Sequence, residues 1–208
     1  MLHHEAIEPG TLALLNELMQ VPELLPFSLV GGTALALRYG HRRSVDIDLF
    51  CHEPVDHEAI LRAITRKFPE EIRYETGFGN TAIFAVIKGI KVDILHYPHP
   101  RISELVISGP IRMYGDPDIA AMKIQAILGR GRKKDFWDLY ELLQHYPLGQ
   151  IAEWHGQKYP NQMLAISIPV AILYFRDADE SETPDSLRNL TWEKIKKGIA
   201  SSVREYLR

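Results

Sequence analysis

The chain has 208 residues, a single cysteine and a formal net charge of −3, with 46% hydrophobic and 25% charged residues. Those proportions describe an ordinary globular protein with enough apolar material for its own core. They exclude an intramolecular disulfide at Cys51, a bulk nucleic-acid coat and, since every apolar run falls far short of ~20 residues, a membrane span. Residues 2–5 lack the basic-then-apolar pattern of a secretory signal, so a cytoplasmic protein without membrane contact is expected. Pro9-Gly10 introduces residues 11–19, whose apolar spacing predicts an amphipathic helix with Thr11 as its N-cap, ended by Pro22 and Pro26. Residues 27–30 read as a short strand running into Gly31-Gly32, and residues 33–39 as a helix closed by Gly40. Residues 45–49 alternate as a strand. A helix is expected from Asp56 or His57 to about Lys67, then a strand over 72–75 and a turn over 76–80. A hairpin follows over 83–87 and 90–95, turning at Lys88-Gly89. Two short strands flank Gly109-Pro110, and Asp116-Pro117-Asp118 then starts a helix that Gly129-Arg130-Gly131 interrupts. Helices are expected again over 133–146, 151–159, 168–176 and 191–206, with an acidic loop at 177–185; residues 164–168 suit a strand equally well. This is an α/β (α+β) chain: residues 1–114 form a mixed sheet with flanking helices, and residues 115–208 form a helical half.

One stretch organises the chemistry: VGGTALALRYGHRRSVDIDLF, residues 30–50. Asp46 and Asp48 alternate with Val45, Ile47 and Leu49, so on a strand both carboxylates point to one face. Neighbouring carboxylates repel unless a cation lies between them, and such oxygens suit Mg²⁺ with substrate phosphates. Gly31 and Gly32, at the start of a helix, let backbone N–H groups approach a phosphate closely. Asp93 sits inside the otherwise apolar second strand of the hairpin, where an acid is costly unless paired or bound to metal. If that strand lies beside the first, three carboxylates converge in the manner of two-metal phosphoryl chemistry.

The glycine turn, the S-x-D-x-D strand and the later V-D-I resemble the minimal nucleotidyltransferase (DNA polymerase β-like) superfamily. GGTALAL and HRRSVDIDLF, with KIQAILGRGRKKDFWDL downstream, are similar to the AbiEii/AbiGii abortive-infection toxins over about residues 27–143. The resemblance implies a minimal nucleotidyltransferase domain followed by a helical domain. It implies transfer of a nucleoside monophosphate from an NTP, with Mg²⁺ (or Mn²⁺) on Asp46, Asp48 and Asp93. Gly31, Gly32 and Thr33 or Ser44 would hold the triphosphate. Lys123 falls on the family's third motif, as a phosphate cation, and Asp135 on its fourth, as an active-site acid that orients Lys123 or Arg130. The acceptor implied is RNA, notably the 3′ end of tRNA, and a cognate antitoxin is implied as partner. Arg42, Arg43, Arg130 and Arg132, with Arg38, Lys133 and Lys134, would form a basic groove for the RNA backbone.

Plainer readings stand beside these. A lysine in an apolar helix commonly snorkels to solvent, Asp135 and Asp138 fit a solvated helix face, and Arg42 and Arg43 fit a solvated link. Asp138 reads as structural. The histidines have no spacing with cysteines that would suit zinc. Two other functions also fit: small-molecule modification of the aminoglycoside-nucleotidyltransferase kind, and a degenerate nucleotide- or RNA-binding module, against which the three intact acids speak.

Overall fold

The computed structural model describes residues 2–75 and 82–208. Helix α1 (Pro9–Leu18) precedes strand β1 (Ser28–Leu29), helix α2 (Gly31–Tyr39) and strand β2 (Ile47–Cys51). Helix α3 (His57–Lys67) leads to β3 (Ile72–Tyr74), β4 (Ala82–Ile87) and β5 (Ile90–His96), and then to β6 (Val106–Ser108) and β7 (Ile111–Met113). Six helices follow: α4 (Asp116–Arg130), α5 (Lys133–Leu142), α6 (Leu148–Lys158), α7 (Ile168–Ile172), α8 (Arg176–Asp179) and α9 (Trp192–Tyr206).

Among the described residues, seven strands form one mixed sheet in the order β3-β4-β5-β2-β1-β7-β6. Its centre is a parallel pair, β2 and β5, whose register sets Ile47 opposite Val92, Asp48 opposite Asp93 and Leu49 opposite Ile94. Side chains alternate between faces at period two. Ile47, Leu49 and Cys51 of β2, Val92 and Ile94 of β5, and Ile83, Ala85 and Ile87 of β4 are buried in the core. The intervening residues, among them Asp48 and Asp93, face the other way and are only partly covered. Helix α2 is buried continuously from Gly32 to Leu37, and it ends at Gly40, whose left-handed φ of 58° forms the C-cap.

The helical half is tied to the sheet through charge as well as packing. Lys158 is fully buried, with Nζ 2.7 Å from Asp118, and Asp118 also accepts the backbone N–H of Ile102 and Ser103. That fastens the link before β6 to α4 and α6.

Several sequence expectations shift in detail. The first helix starts at Pro9, with Glu8 as N-cap, because proline favours the first helical turn, and Thr11 is buried inside it. The helix expected to reach Tyr146 stops at Leu142; the chain then turns, and Tyr146 Oη donates to Asp116 at 2.8 Å. The helix expected over 168–176 stops at Ile172, and α8 opens the stretch expected as an acidic loop; between them Phe175 packs against Phe136 and Trp192, with ring centroids 5.2 and 5.6 Å away. Residues 164–168 form no strand. The turn expected over 76–80 lies outside the described residues.

Candidate active site

The β2–β5 register is what builds the site. It sets Asp48 directly beside Asp93, and Asp46 lies two residues before Asp48, in the extended link that enters β2. Each outer acid carries a lysine: Lys91 Nζ is 2.6 Å from Asp93 Oδ2, and Lys134 Nζ is 3.2 Å from Asp46 Oδ2. Burial pushes the Asp48 carboxyl up to about 6; Asp93 and Asp46 add to that rise, and Lys123 opposes it.

The glycine turn touches these acids. Gly31 has φ 70°, and a Cβ there would lie 2.7 Å from Asp48 Oδ2. Only glycine combines that left-handed backbone with so close an approach. Gly31→Ala is therefore expected to cost about 1–2 kcal/mol in backbone strain alone, lowering the melting temperature by a few degrees in thermal denaturation. Gly32 is required by a different neighbour, because its Cβ would fall 2.0 Å from Arg42 Nη2.

Thr33 and Ser44, expected at the triphosphate, are buried and bonded to each other at 2.8 Å. Thr33 Oγ1 also donates to the carbonyl of Asp46. Both hydroxyls thus brace the backbone that carries Asp46.

Behind the acids lies a charged cluster joining the two halves of the chain. Asp138 is fully buried and receives Arg42 Nε at 2.7 Å and Nη2 at 2.9 Å, His41 Nε2 at 2.7 Å and Lys123 Nζ at 2.8 Å. Burial alone would raise its carboxyl, but Arg42 and Lys123 outweigh that and hold it well below the usual carboxylate range. Lys123 also meets Asp135 Oδ1 at 2.9 Å; burial works against its charge, and Asp138 and Asp135 together keep it protonated above the usual lysine range. The Asp135 Oδ2 atom accepts the backbone N–H of Arg132. The ion pair from Asp135 to Lys123 is thus present, but Lys123 is neither snorkelling nor open to solvent. Arg42, expected in an RNA groove, is buried with its fork on Asp138. Arg38, named for the same groove, pairs with Asp116 at 2.8 Å. Asp138, read from the sequence as structural, has more charged partners among the described residues than Asp46, Asp93 or Asp135.

Arg42, Arg43, Arg130, Arg132 and Lys134 come together, with Asp46 and Ser44, around a cleft of about 800 Å³. The same cleft is lined by Glu8, Glu180, Glu182 and Asp185. Arg43 pairs with one of these acids, 2.9 Å from Asp185.

Among the described residues no three histidine, cysteine, aspartate or glutamate side chains stand close enough together to hold a metal ion. The oxygen donors are nevertheless of the kind a hard divalent cation takes. Asp93 Oδ1 is buried and finds no hydrogen-bond partner among the described residues, and the Lys91 and Lys134 ammoniums sit where the acids call for positive charge. The residues present therefore suit such an ion once those lysines step aside.

The sheet, the paired carboxylates and the glycine turn against them define a nucleotidyltransferase. Residues 13–205 match the family described as nucleotidyl transferase AbiEii toxin, type IV toxin–antitoxin system, and the chain belongs to that family. It is 35% identical over 187 residues to the uncharacterized protein aq_aa25 of Aquifex aeolicus (strain VF5), covering 87% of this chain and 88% of that protein. Two solved structures share the fold. JHP933 from Helicobacter pylori matches with a TM-score of 0.59 at 19% identity, over 99% of this chain and 93% of its own. MenT4, a nucleotidyltransferase toxin from Mycobacterium tuberculosis H37Rv, matches with a TM-score of 0.58 at 14% identity, over 93% and 84%. Among the described residues no helix is long and apolar enough to cross a membrane.

Proposed function

We propose that this protein transfers a nucleoside monophosphate from an NTP to a hydroxyl of RNA, at the 3′ end of tRNA, as the toxin of a toxin–antitoxin pair acting in the cytoplasm. The observation that carries the reading is the Asp48–Asp93 register, with Gly31 against one acid and a cationic cleft opening beside Asp46. Mg²⁺ or Mn²⁺, held by Asp46, Asp48 and Asp93, would supply Lewis-acid stabilisation of phosphate charge. The residues themselves contribute position and proton transfer. Asp93 Oδ1, buried and unpartnered among the described residues, is the atom suited to take the proton of the acceptor hydroxyl. The acceptor oxygen bonds to the α-phosphorus, the bond to the β-phosphate oxygen breaks, and pyrophosphate leaves into a cleft lined by Arg130, Arg132 and Lys134. Lys123 and Asp135 shape this site from behind. Arg43, Arg130 and Arg132 would meet the RNA backbone, a contact of charge rather than base reading. A cognate antitoxin follows from the family.

A second reading has one observation in its favour. The cleft-lining acids Glu8, Glu180, Glu182 and Asp185 would suit a polycationic small acceptor such as an aminoglycoside. One experiment separates the two: purified protein is incubated with total RNA or with an aminoglycoside panel, using each α-labelled NTP in turn. Label in tRNA-sized RNA is the expected result. Labelled drug with unlabelled RNA would establish the second reading in its place.

A further inference from the structure

The family resemblance assigns the cation that meets the triphosphate to Lys123, and the structure spends that charge elsewhere. Lys123 is 6% exposed and bonded to two carboxylates, Asp135 and Asp138. Drawing it onto phosphate would strip a buried cation from both.

Lys134 differs in each respect. It rises from the first turn of α5 with its side chain 44% exposed, and it lines the cleft beside Arg43, Arg130 and Arg132. Its ammonium is 3.2 Å from Asp46 Oδ2, an oxygen that a divalent ion would claim. An ammonium and a divalent cation repel at contact distance, so they compete for that carboxylate. Once displaced, Lys134 stays in the cleft on a four-carbon stem that reaches several ångströms, and the anions nearest to it are then the substrate's phosphates. We infer that Lys134 is a triphosphate-binding residue, parked on Asp46 until metal and nucleotide arrive together. This rests on the nucleotidyltransferase reading of the site and adds a substrate contact to it. Lys91 provides the contrast: it caps Asp93 at 2.6 Å from the open face of β5, and it does not line the cleft.

The test is calorimetry on the full chain carrying Lys134→Met, Lys134→Arg or Lys91→Met. Mn²⁺ is titrated alone, and then each non-hydrolysable NTP analogue is titrated in saturating Mn²⁺. With its competitor gone, Lys134→Met is expected to bind Mn²⁺ at least as tightly as wild type and the analogue about ten-fold more weakly, the scale of one lost charged hydrogen bond. Lys134→Arg should restore analogue binding, and Lys91→Met should leave it unchanged. Unaltered analogue affinity in Lys134→Met, or Mn²⁺ and analogue affinities weakened together, overturns the inference while wild-type binding keeps the transferase reading intact. Failure of wild type to bind any analogue overturns both.

Discussion

Asp138→Ala is expected to destabilise the fold by about 3–5 kcal/mol, because it strands buried cations whose partner it was. Arg42 is 3% exposed and gives two hydrogen bonds to this carboxylate, Lys123 gives a third and His41 a fourth. For a chain of this length the loss corresponds to a melting temperature about 6–20 °C lower in calorimetric denaturation. A companion measurement assigns the cause. Adding Lys123→Met to Asp138→Asn removes one of the stranded charges and should recover part of the stability; independent, additive losses would show that the cluster is not coupled. Arg42 comes from the link before β2 and Asp138 from α5, so the same variant is expected to loosen the contact between the Asp46 link and the cleft's cationic residues.

Asp48→Asn is expected to move activity and stability in opposite directions. Nucleotidyl transfer should fall by at least about a thousand-fold, since a lost metal-binding carboxylate removes several kcal/mol of transition-state stabilisation. The metal-free fold should gain. The Asp48 carboxyl is raised from 3.8 to about 6, so the folded protein holds a proton there that the unfolded chain has already released. Its favourable contribution is complete below pH about 4 and is lost as the pH rises through about 6. Asparagine carries no such charge. The variant should therefore match wild type near pH 4 and exceed it by on the order of 2 kcal/mol at pH 7. Urea denaturation at both pH values checks this, and an equal offset at each would show that Asp48 is not strained by its charge.

The parts of this site that the sequence made legible are those set by local periodicity. Alternation in VDIDL and the Lys88-Gly89 hairpin were enough to foresee two strands each presenting acids on one face, and the observed register joins Asp48 to Asp93. Gly31-Gly32 and Gly40 bound a helix for reasons internal to that segment. What local pattern leaves open is tertiary. Arg42 and Arg43 are adjacent in an irregular link and both line the cleft, but nothing periodic says that one is buried on Asp138, 96 residues away, and the other exposed. Thr33 and Ser44, named for the triphosphate, face each other across the turn, and Ser44 also lines the cleft. Lys123 in an apolar helix suggested either a snorkelling side chain or a phosphate ligand. A buried lysine shared by two acids one helical turn apart needs α4 packed on α5, which neither helix reveals alone. Lys134 looked like one cation among several in a basic run, and only the fold sets it on Asp46.

Glu180, Glu182 and Asp185, in the stretch expected as an acidic loop, line the same cleft as the basic residues named for the RNA groove. In the proposed RNA reading these acids would oppose a polyanion bound by Arg130, Arg132 and Lys134. RNA binding to this chain is accordingly expected to weaken steeply with salt.

The most direct measurement compares α-labelled with γ-labelled triphosphate in one reaction with total RNA and Mg²⁺, for wild type and Asp48→Asn. The carboxylate site described here predicts that wild type transfers the α-label to the acceptor and releases the γ-label as pyrophosphate, and that the variant does neither. Transfer of the γ-label, or undiminished α-label transfer by Asp48→Asn, would show that the chemistry is of another kind or takes place elsewhere.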